Sequence, residues 1–332
     1  MNVLVVDGYG AKIFVRRNCV VLENAKSRRV LPIADIDRVV VVTSGVSITS
    51  RAVRALARYG IDIVFLDSRG VPITCLTPPW QTATVATRRA QYLAYSNRFK
   101  ATEIAKSFAE AKIMNQGLYI KYLSKNLGIK DLEKESENIL KHVEVLKQIS
   151  GDIEETRQKI INVEALAARI YWSAIATVLP RDLGFDGRDQ DGVDQVNKAL
   201  NYLYGVLYTE CFKALTRHGL DPYAGFLHSD RSGNPTLVFD FVEMFRVSAV
   251  DSLLVKLFSN GFRIKVDERG FISKDDRTRL VNEFYKWVDR RTRDLNGDLR
   301  KVREHVNSYA MGFGKSLREN TLFRGFVERW WQ

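Results

Sequence analysis

Cysteine is scarce in this chain, and the few cysteines present are badly placed for disulfides or zinc. Three occur in 332 residues, at Cys19, Cys75 and Cys211, and no two of them form a Cys-x-x-Cys pair. An odd number of widely separated thiols argues against a disulfide framework and against a zinc ribbon. This cysteine use is typical of proteins in a reducing cytoplasm, and we expect that compartment.

Long hydrophobic runs are also missing. No apolar stretch approaches the ~20 residues that a membrane span requires. The N-terminal segment, Met-Asn-Val-Leu-Val-Val-Asp, has an apolar core too short for a signal peptide and an acidic residue directly after it. We therefore expect neither a membrane span nor a secretion signal.

Acidic residues are in deficit, with 39 Asp and Glu against 51 Lys and Arg, a formal net charge of +12. The excess is distributed: residues 1–80 hold 11 basic against 6 acidic residues, and the remainder holds 40 against 33. A broad basic surface points to a polyanionic partner, and nucleic acid is the commonest one. An anionic membrane fits less well, because no basic amphipathic anchor helix is evident.

Proline is sparse, with seven in the chain, and two of them stand together at Pro78 and Pro79. Such a pair ends a strand and stiffens a connection. Before it, short runs of β-branched residues predict strands at 3–6, 12–16, 20–22, 30–32, 39–42 and 61–66. Gly8-Tyr9-Gly10 predicts a hairpin between the first two strands, and residues 50–59 have helical spacing.

After the proline pair the pattern is helical. Residues 88–127 and 131–149 have the spacing of surface helices, and 162–178 is more apolar and central. A polar loop at 179–192 precedes a long helix at 193–217, and the stretch 250–332 is helical again. The predicted fold class is α+β. A β-rich domain over 1–77, a small sheet with one helix, is followed by a linker over 78–88 and a larger all-α domain over 89–332.

A histidine followed by two carboxylates three residues apart is the most informative local pattern. His228 precedes a polar turn, and an apolar run then delivers Asp240 and Glu243. Imidazole nitrogen with carboxylate oxygen is a ligand set that suits Mn²⁺ or Mg²⁺ and phosphodiester chemistry. Two ordinary alternatives stay open. His228 could be a loop histidine bonded to backbone, and Asp240 with Glu243 could be the N-cap and third residue of a helix.

A third carboxylate, Glu164, lies on an alanine-rich helix whose face through Ala168 and Tyr171 is small and apolar. Such a carboxylate either points into a cleft or is a solvated side chain near a helix start, where negative charge is favoured. Other histidines fit structural roles, with His218 at a helix end and His305 on a charged helix face.

Four arginines are candidates for phosphate contacts in a chain of this charge. Arg188 lies in the polar loop, and Arg246 comes one turn after Glu243, where it pairs with that residue or contacts a phosphate. Arg290 and Arg293 belong to a basic run over 286–303, for which a solvated helix face is the alternative interpretation.

Taken in order along the chain, these motifs resemble one known family. After a β-rich start with Asp-Gly-Tyr-Gly-Ala at 7–11, four segments carry the resemblance: Glu-Ala-Leu-Ala-Ala-Arg-Ile-Tyr-Trp at 164–172, Asn-x-x-Leu-Asn-Tyr-x-Tyr at 197–204, Leu-Asp-Pro-Tyr-Ala-Gly-Phe-Leu-His at 220–228 and Asp-Phe-Val-Glu-Met-Phe-Arg at 240–246. Each is weak alone, but the four in this order are specific. The chain resembles the CRISPR-associated endonucleases that act as the integrase of spacer acquisition, the first-numbered of the CRISPR-associated proteins.

The resemblance implies a site and a reaction. It assigns a divalent ion, Mn²⁺ or Mg²⁺, to Glu164, His228 and Glu243, with Asp240 as a further acidic position that supports the site. The implied reaction is attack of a DNA 3′-hydroxyl on a phosphodiester at the edge of a CRISPR repeat. The implied ligands are double-stranded and branched DNA.

The resemblance also implies an assembly in a prokaryotic cytoplasm. It implies a homodimer formed largely through the β-rich domains, and a small ferredoxin-like CRISPR-associated protein that bridges two such dimers. One departure from the family pattern is visible. Many relatives flank the first glutamate with glycines, and Asn162 and Ala165 occupy those places here.

Two other functions stay open. One is a structure-selective metal nuclease that acts on branched DNA in repair, for which the products would be cut strands and not joined strands. The other is a non-enzymatic DNA scaffold with a structural acidic cluster, for which Mn²⁺ would not bind.

Overall fold

The computed structural model describes residues 2–25, 27–78, 85–268 and 270–330. The strands in these residues are β1 (Asn2–Val6), β2 (Lys12–Arg16), β3 (Cys19–Glu23), β4 (Arg28–Pro32), β5 (Ile36–Val41), β6 (Ser47–Ile48), β7 (Asp62–Leu66), β8 (Pro72–Leu76), β9 (Arg291–Asp294), β10 (Leu299–Lys301) and β11 (Glu328–Arg329). The helices are α1 (Ser50–Arg58), α2 (Val85–Ser96), α3 (Arg98–Leu127), α4 (Asp131–Lys147), α5 (Ile153–Val178), α6 (Gln195–Arg217), α7 (Thr236–Glu243), α8 (Ser252–Ser259), α9 (Lys274–Val288) and α10 (Val302–Glu319).

The N-terminal region contains two four-stranded sheets, where the sequence predicts a single small one. One sheet has the order β1-β5-β7-β8, with the first three strands parallel, and the other has the order β4-β3-β2-β6. The hairpin predicted at Gly8-Tyr9-Gly10 is wrong, because β1 pairs with β5 while β2 pairs with β3 and β6. The tight hairpin turn lies instead at Arg17 and Asn18, which both have positive φ, as a primed turn requires.

The parallel sheet is buried on both faces because its strands alternate between two cores. Leu4, Val39 and Ile63 face the second sheet and α1, whereas Val5 and Val40 face the helical core. An apolar side chain on each face is the expected pattern for a parallel sheet covered on both sides. One face of the parallel sheet therefore shares a core with the helices, and the other face belongs to a separate core within the N-terminal region.

The boundary between the two predicted domains lies partly outside the described residues, since 79–84 are among those not described. Strand β8 ends at Leu76, and α2 begins at Val85, so the last positions of the predicted linker 78–88 are helical. The division into 1–77, 78–88 and 89–332 stays a prediction.

The C-terminal region is mainly helical, and α3 runs through its interior. The sequence predicts a surface helix there, but seventeen of the thirty residues of α3 are buried. The predicted central helix 162–178 is the second half of α5, which packs on α3 and α4. The C-terminal end is not wholly helical, because β9, β10 and β11 form a small antiparallel sheet.

A π-helical turn at Val247–Asp251 separates α7 from α8. It inserts an extra residue into the helical repeat, and such turns are frequent at functional sites. Throughout the part of the chain that the structure describes, no helix combines the length and apolarity needed to cross a membrane.

Candidate metal centre

Glu164 lies in the middle of α5, and this position excludes the helix-start interpretation of its carboxylate. The helix begins at Ile153 and is capped by Asp152, whose side chain accepts from the Glu154 N–H at 2.8 Å. Glu164 is therefore three turns into the helix. Its side chain is only 16% exposed, and Oε1 forms an ion pair with the ammonium of Lys112.

Glu243 is the last residue of α7 and is the most enclosed of the predicted ligands, with 6% of its side chain exposed. Its Oε1 lies 2.9 Å from Arg246 Nη2, and its Oε2 lies 2.6 Å from Lys112 Nζ. Burial alone would raise the pKa of this carboxyl group. The charges of Arg246 and Lys112 outweigh burial and hold its pKa well below the usual value, at about 2. Glu243 is thus a carboxylate at any physiological pH.

Asp240 is fully buried at the fifth position of α7, which excludes the alternative interpretation of this residue as a helix N-cap. Its carboxylate accepts three backbone N–H groups, from Phe226 and Leu227 at 2.6 and 2.9 Å and from His228 at 2.9 Å. A fourth contact joins its Oδ1 to His228 Nδ1 at 2.6 Å. Asp240 therefore shapes the loop that carries the histidine and fixes the direction of the imidazole ring.

His228 is a loop histidine whose ring bonds to a carboxylate and not to backbone, contrary to the ordinary alternative. Asp240 binds Nδ1 of the ring, and Nε2 has no hydrogen-bond partner among the described residues. The side chain is 39% exposed. Burial would lower the pKa of His228, but the bond and charge of Asp240, with Glu243, raise it above the ordinary value. A ring fixed at Nδ1 with Nε2 open is the arrangement that histidine ligands usually adopt.

Lys112 is the residue of the site that the sequence analysis misses. It lies halfway along α3, and its ammonium contacts Glu164 Oε1 and Glu243 Oε2 together. Burial would lower the pKa of Lys112, but the two carboxylates raise it, so the side chain is charged. The signal in the sequence is weak: a single lysine stands in an otherwise uncharged segment, residues 111–120.

Lys112, Glu164, His228 and Glu243 line one cleft of about 860 Å³, and Asp240 is not among its lining residues. Its walls come from α3, α5, α6 and α7, from the polar loop after α5 and from the π turn. The polar lining residues are Lys112, Gln116, Glu164, Arg169, Ser173, Asp186, Arg188, Asp189, Gln190, Tyr204, His228, Glu243, Arg246 and Asp251. The structure thus brings Glu164, His228 and Glu243 to the same cavity from three separate parts of the chain.

Arg246 packs against the ring of Tyr204, which is itself held by a hydrogen bond to Asp251. Its guanidinium carbon lies 4.3 Å from the centroid of the Tyr204 ring, and the Tyr204 hydroxyl donates to Asp251 Oδ1 at 2.6 Å. Tyr171 donates to the other oxygen of Asp251 at 3.0 Å. Burial raises the pKa of Asp251 even though both tyrosine bonds oppose it. Arg246 therefore bonds to Glu243 as one of the two sequence alternatives predicts, and its position is fixed by aromatic contact.

Arg188 belongs to the same cleft. Its guanidinium donates to Asn197 Oδ1 at 3.1 Å and to Asn201 Oδ1 at 2.6 Å, and it lies 5.7 Å from the centroid of Tyr204. Asn197 also accepts the backbone N–H of Asp189 at 2.9 Å. The polar loop is thereby held against α6 with a guanidinium facing the cavity.

The other two arginines of the predicted nucleic-acid surface lie elsewhere, and neither lines the cleft. Arg290 is mostly buried, with Nη2 bonded to both carboxylate oxygens of Glu328 at 2.9 and 2.8 Å, and it stacks on Trp287 at 4.4 Å. This guanidinium is committed to an internal pair. Arg293 on β9 is exposed and donates to Gly297 O at 3.0 Å. His305, predicted on a charged face, is buried, with Nε2 at 3.0 Å from Thr292 O.

The donor set fits a divalent cation in its chemistry. Two carboxylates and one neutral-capable imidazole suit Mn²⁺ or Mg²⁺. Glu243 Oε2 supports this, because it is a buried acceptor with no hydrogen-bond donor apart from its ion pair with Lys112. As placed, however, no three His, Cys, Asp or Glu side chains in the described ranges enclose a common point at ligand distance. Lys112 lies between the two carboxylates, at the place that a shared cation would take.

Comparison with known proteins identifies the family. The family model described as "CRISPR associated protein Cas1" matches residues 4–288. The chain is 35% identical over 327 residues to "CRISPR-associated endonuclease Cas1 2" of Saccharolobus solfataricus, with 98% of each chain covered. The chain belongs to the Cas1 family. It is also 34% identical over 339 residues to "CRISPR-associated endonuclease Cas1" of Hyperthermus butylicus, again with 98% of each chain covered.

Solved structures agree with this fold. A Cas1 protein from Thermotoga maritima has a TM-score of 0.77 at 16% identity, covering 98% of this chain and 99% of that one. A structure named "Casposase bound to integration product" has a TM-score of 0.85 at 24% identity, covering 100% and 95%. These likenesses confirm the predicted α+β class, a β-rich N-terminal region before a helical region. The family resemblance is confirmed by the family model and the two relatives.

Proposed function

We propose that this Cas1-family chain is a divalent-metal-dependent DNA endonuclease and strand-transfer enzyme that inserts new spacer DNA into a CRISPR array. The observation that carries the proposal is the convergence of Glu164 and Glu243 on one cation position beside His228, whose ring Asp240 orients. Family membership supplies the context, since relatives of this chain are named CRISPR-associated endonucleases.

In this proposal Glu164, Glu243 and His228 Nε2 would hold Mn²⁺ or Mg²⁺. The ion, when bound, would stabilise negative charge on a phosphate and lower the pKa of a coordinated hydroxyl group. The protein's own side chains hold the ligands of the ion in position. Asp240 keeps the imidazole in one orientation, and its four accepted contacts make that orientation rigid.

The cationic side chains of the cleft are suited to the substrate backbone. Arg246 and Arg188 present guanidinium groups that Tyr204 supports from one side, and guanidinium groups bind phosphate oxygens in a planar, bidentate way. Both are fixed by hydrogen bonds, so little conformational entropy is lost when a phosphate arrives.

A second cavity of about 880 Å³ adjoins the cleft and shares Arg188, Tyr204 and Arg246 with it. Its lining combines aromatic rings with basic side chains: Tyr208, Phe212, Tyr223 and Phe239 with Arg69 and Lys213. Bases of unpaired DNA stack on such rings while basic groups follow the backbone. This lining supports a DNA end that approaches the metal centre as a single strand.

The proposed assembly is a homodimer, formed largely through the β-rich region, that works with a small ferredoxin-like CRISPR-associated bridging protein on double-stranded and branched DNA. Solved structures that share this fold include one named "Cas6-RT-Cas1--Cas2 complex", of which this chain covers 36% with a TM-score of 0.76. The fold alone is common to both, so the partner is part of the proposal. Sedimentation of the purified chain with and without the small protein tests it.

The activity is tested with a supercoiled plasmid, a short duplex bearing free 3′-hydroxyls, Mn²⁺ and the small partner protein. We expect covalent joining of the duplex to the plasmid. Glu164→Gln should abolish joining, while Glu155→Gln, an exposed carboxylate in the first turn of the same helix, should not.

The products decide between the candidate functions. Cut strands without joining, lost in Glu164→Gln, would replace the proposal with a branched-DNA nuclease that uses the same site. Joining that survives Glu164→Gln would show that the metal centre has been placed wrongly. Binding without any reaction in either protein would support a DNA scaffold.

A further inference from the structure

Lys112 occupies an unusual position for a lysine. It lies on α3, a helix with seventeen of its thirty residues buried, and only 13% of its side chain is exposed. Its single ammonium group contacts two carboxylates that come from two other helices. Burying a charge is costly unless it is paired, and this lysine is doubly paired. The second carboxylate, Glu243, also forms an ion pair with Arg246.

The arrangement has a consequence for the two acids. Carboxylates this close raise each other's pKa and repel unless a cation separates them. Lys112 supplies that cation from within the chain, because its ammonium contacts Glu164 Oε1 and Glu243 Oε2 at the same time. The two ligands are therefore held together at a spacing that suits a positive ion.

The ammonium group of Lys112 can also move away from the two carboxylates. Lysine carries a compact point charge on a flexible stem with four methylene groups, unlike the rigid fork of arginine. The stem of Lys112 borders a cleft of about 860 Å³, so the side chain has space to swing away while its backbone stays in α3.

We propose that Lys112 is the resident counter-ion of the metal centre: it holds Glu164 and Glu243 in place without metal and is displaced when a divalent ion binds between them. This inference rests on the proposed function, because it assumes that the two carboxylates bind metal. It assigns to Lys112 two opposite effects, stabilisation of the metal-free protein and competition with the ion.

The test uses the full chain and two measurements that need no catalysis. One is Mn²⁺ affinity by calorimetry, and the other is the thermal unfolding midpoint in chelator and in saturating Mn²⁺. Lys112→Met keeps the stem and removes the charge. The matched control is Lys106→Met on the same helix, a lysine with 12% exposure whose ammonium contacts Glu103 at 2.9 Å and Ile149 O at 2.8 Å.

We expect Lys112→Met to bind Mn²⁺ about tenfold more tightly than the unaltered chain, because a competing charge has been removed. In chelator its midpoint should fall below that of the unaltered chain, and saturating Mn²⁺ should close or reverse this gap. Lys106→Met should leave Mn²⁺ affinity unchanged. Lys112→Arg, which keeps the charge on a less mobile group, should bind Mn²⁺ no more tightly than the unaltered chain.

Three outcomes would overturn the inference. Unchanged or weaker Mn²⁺ affinity in Lys112→Met, with Mn²⁺ bound by the unaltered chain, refutes competition and leaves the proposed function intact. An unchanged midpoint in chelator refutes the stabilising role. Absence of Mn²⁺ binding in every variant overturns the metal centre and this inference together. If Lys112→Met does not fold, Lys112→Gln replaces it with the same expectations.

Discussion

Within the described part of the chain, two largely buried charge clusters have the same composition and differ in which cation is shared. In the cleft, Lys112 contacts both Glu164 and Glu243, and Arg246 pairs with one of the two. Each cluster has two carboxylates, one lysine and one arginine. Composition alone does not distinguish the two clusters.

The second cluster lies where the parallel sheet meets α6. Arg38 of β5 contacts both Asp62 and Glu210, and Lys213 pairs with Asp62 at 2.7 Å. Tyr285 donates to Glu210 at 2.9 Å. The shared cation here is an arginine, which cannot lose its proton and which a fork of donors holds rigidly.

The identity of the shared cation accounts for the different roles that we propose for the two clusters. The cluster centred on Lys112 is the proposed metal centre, and the cluster centred on Arg38 connects the sheet to α6. A shared lysine beside an imidazole with an open nitrogen leaves a position that another cation can enter. A shared arginine beside a tyrosine hydroxyl fills the position permanently and ties the sheet to α6. The comparison predicts opposite outcomes when equivalent residues are changed in the two clusters.

The largest contrast should come from removing one carboxylate charge in each cluster. Glu243→Gln should lower strand transfer by about a hundredfold to a thousandfold, because a proposed ligand of the ion that stabilises transition-state charge is lost. Glu210→Gln, changed in the same way, should leave strand transfer within about threefold. Plasmid joining at a temperature where both variants are folded measures this, and equal losses would show that the two clusters are not distinct in role.

A change of the shared arginine should appear in stability. Arg38→Met leaves Asp62 and Glu210 buried without their common partner, and breaking such a pair costs about 3–5 kcal/mol. Urea unfolding of Arg38→Met measures this cost. The loss should be the same with and without Mn²⁺, whereas the loss in Lys112→Met should depend on Mn²⁺. A metal-dependent cost for Arg38→Met would contradict the proposed difference.

Loss of the contact that orients the His228 imidazole should have a smaller effect, seen in metal affinity. Asp240→Asn removes the acceptor that orients His228, and loss of such a supporting partner typically lowers metal affinity about 10- to 100-fold. Calorimetry with Mn²⁺ measures it, with Asp230→Asn in the same loop as the control. Unchanged affinity in Asp240→Asn would mean that His228 does not bind the ion.

The smallest effect concerns pH. His218 caps the C-terminal end of α6 and bonds to Asn307 of α10. Burial lowers the pKa of His218, and the charges of Arg217 and Arg318 lower it further. The hydrogen bond with Asn307 acts in the opposite direction but does not outweigh them. A depressed histidine pKa means that the unfolded chain binds the proton more readily. Stability should be highest above pH ~6.5 and should fall as the pH drops below it.

His218→Asn should flatten this dependence between pH 5 and 8 by less than about 1 kcal/mol, since the ring is partly screened by solvent. Unfolding free energy measured across the range tests it. An unchanged slope would assign the dependence to another group.

Local patterns made part of the fold predictable. Runs of β-branched residues gave β2 and β7 nearly to the residue, and helical spacing gave α1 and α6. Strand pairing was not predictable, because β1 ends at Val6 while its partner β5 begins only at Ile36, and no local signal encodes such a partner. A turn signal at Gly8-Tyr9-Gly10 therefore predicted the wrong neighbour.

The candidate site divides in the same way. Glu164, His228, Asp240 and Glu243 could be predicted as candidates because acids and imidazole stand out in apolar surroundings and follow a family order. Lys112 was not found, because a lysine in a long helix is ordinarily a solvated side chain. Only the burial of α3, a tertiary property, turns that lysine into part of the site.

The π turn at Val247–Asp251 makes the cleft sensitive to the number of residues as well as to their identity. Each residue of a helix turns the chain by about 100°, so deleting one residue here would restore a regular helix and rotate Asp251 away from the Tyr204 hydroxyl. A deletion at Ser248, Ala249 or Val250 would remove no residue that lines the cleft. When relatives are aligned, a gap of a single position in this segment is therefore as informative as a substitution of a ligand.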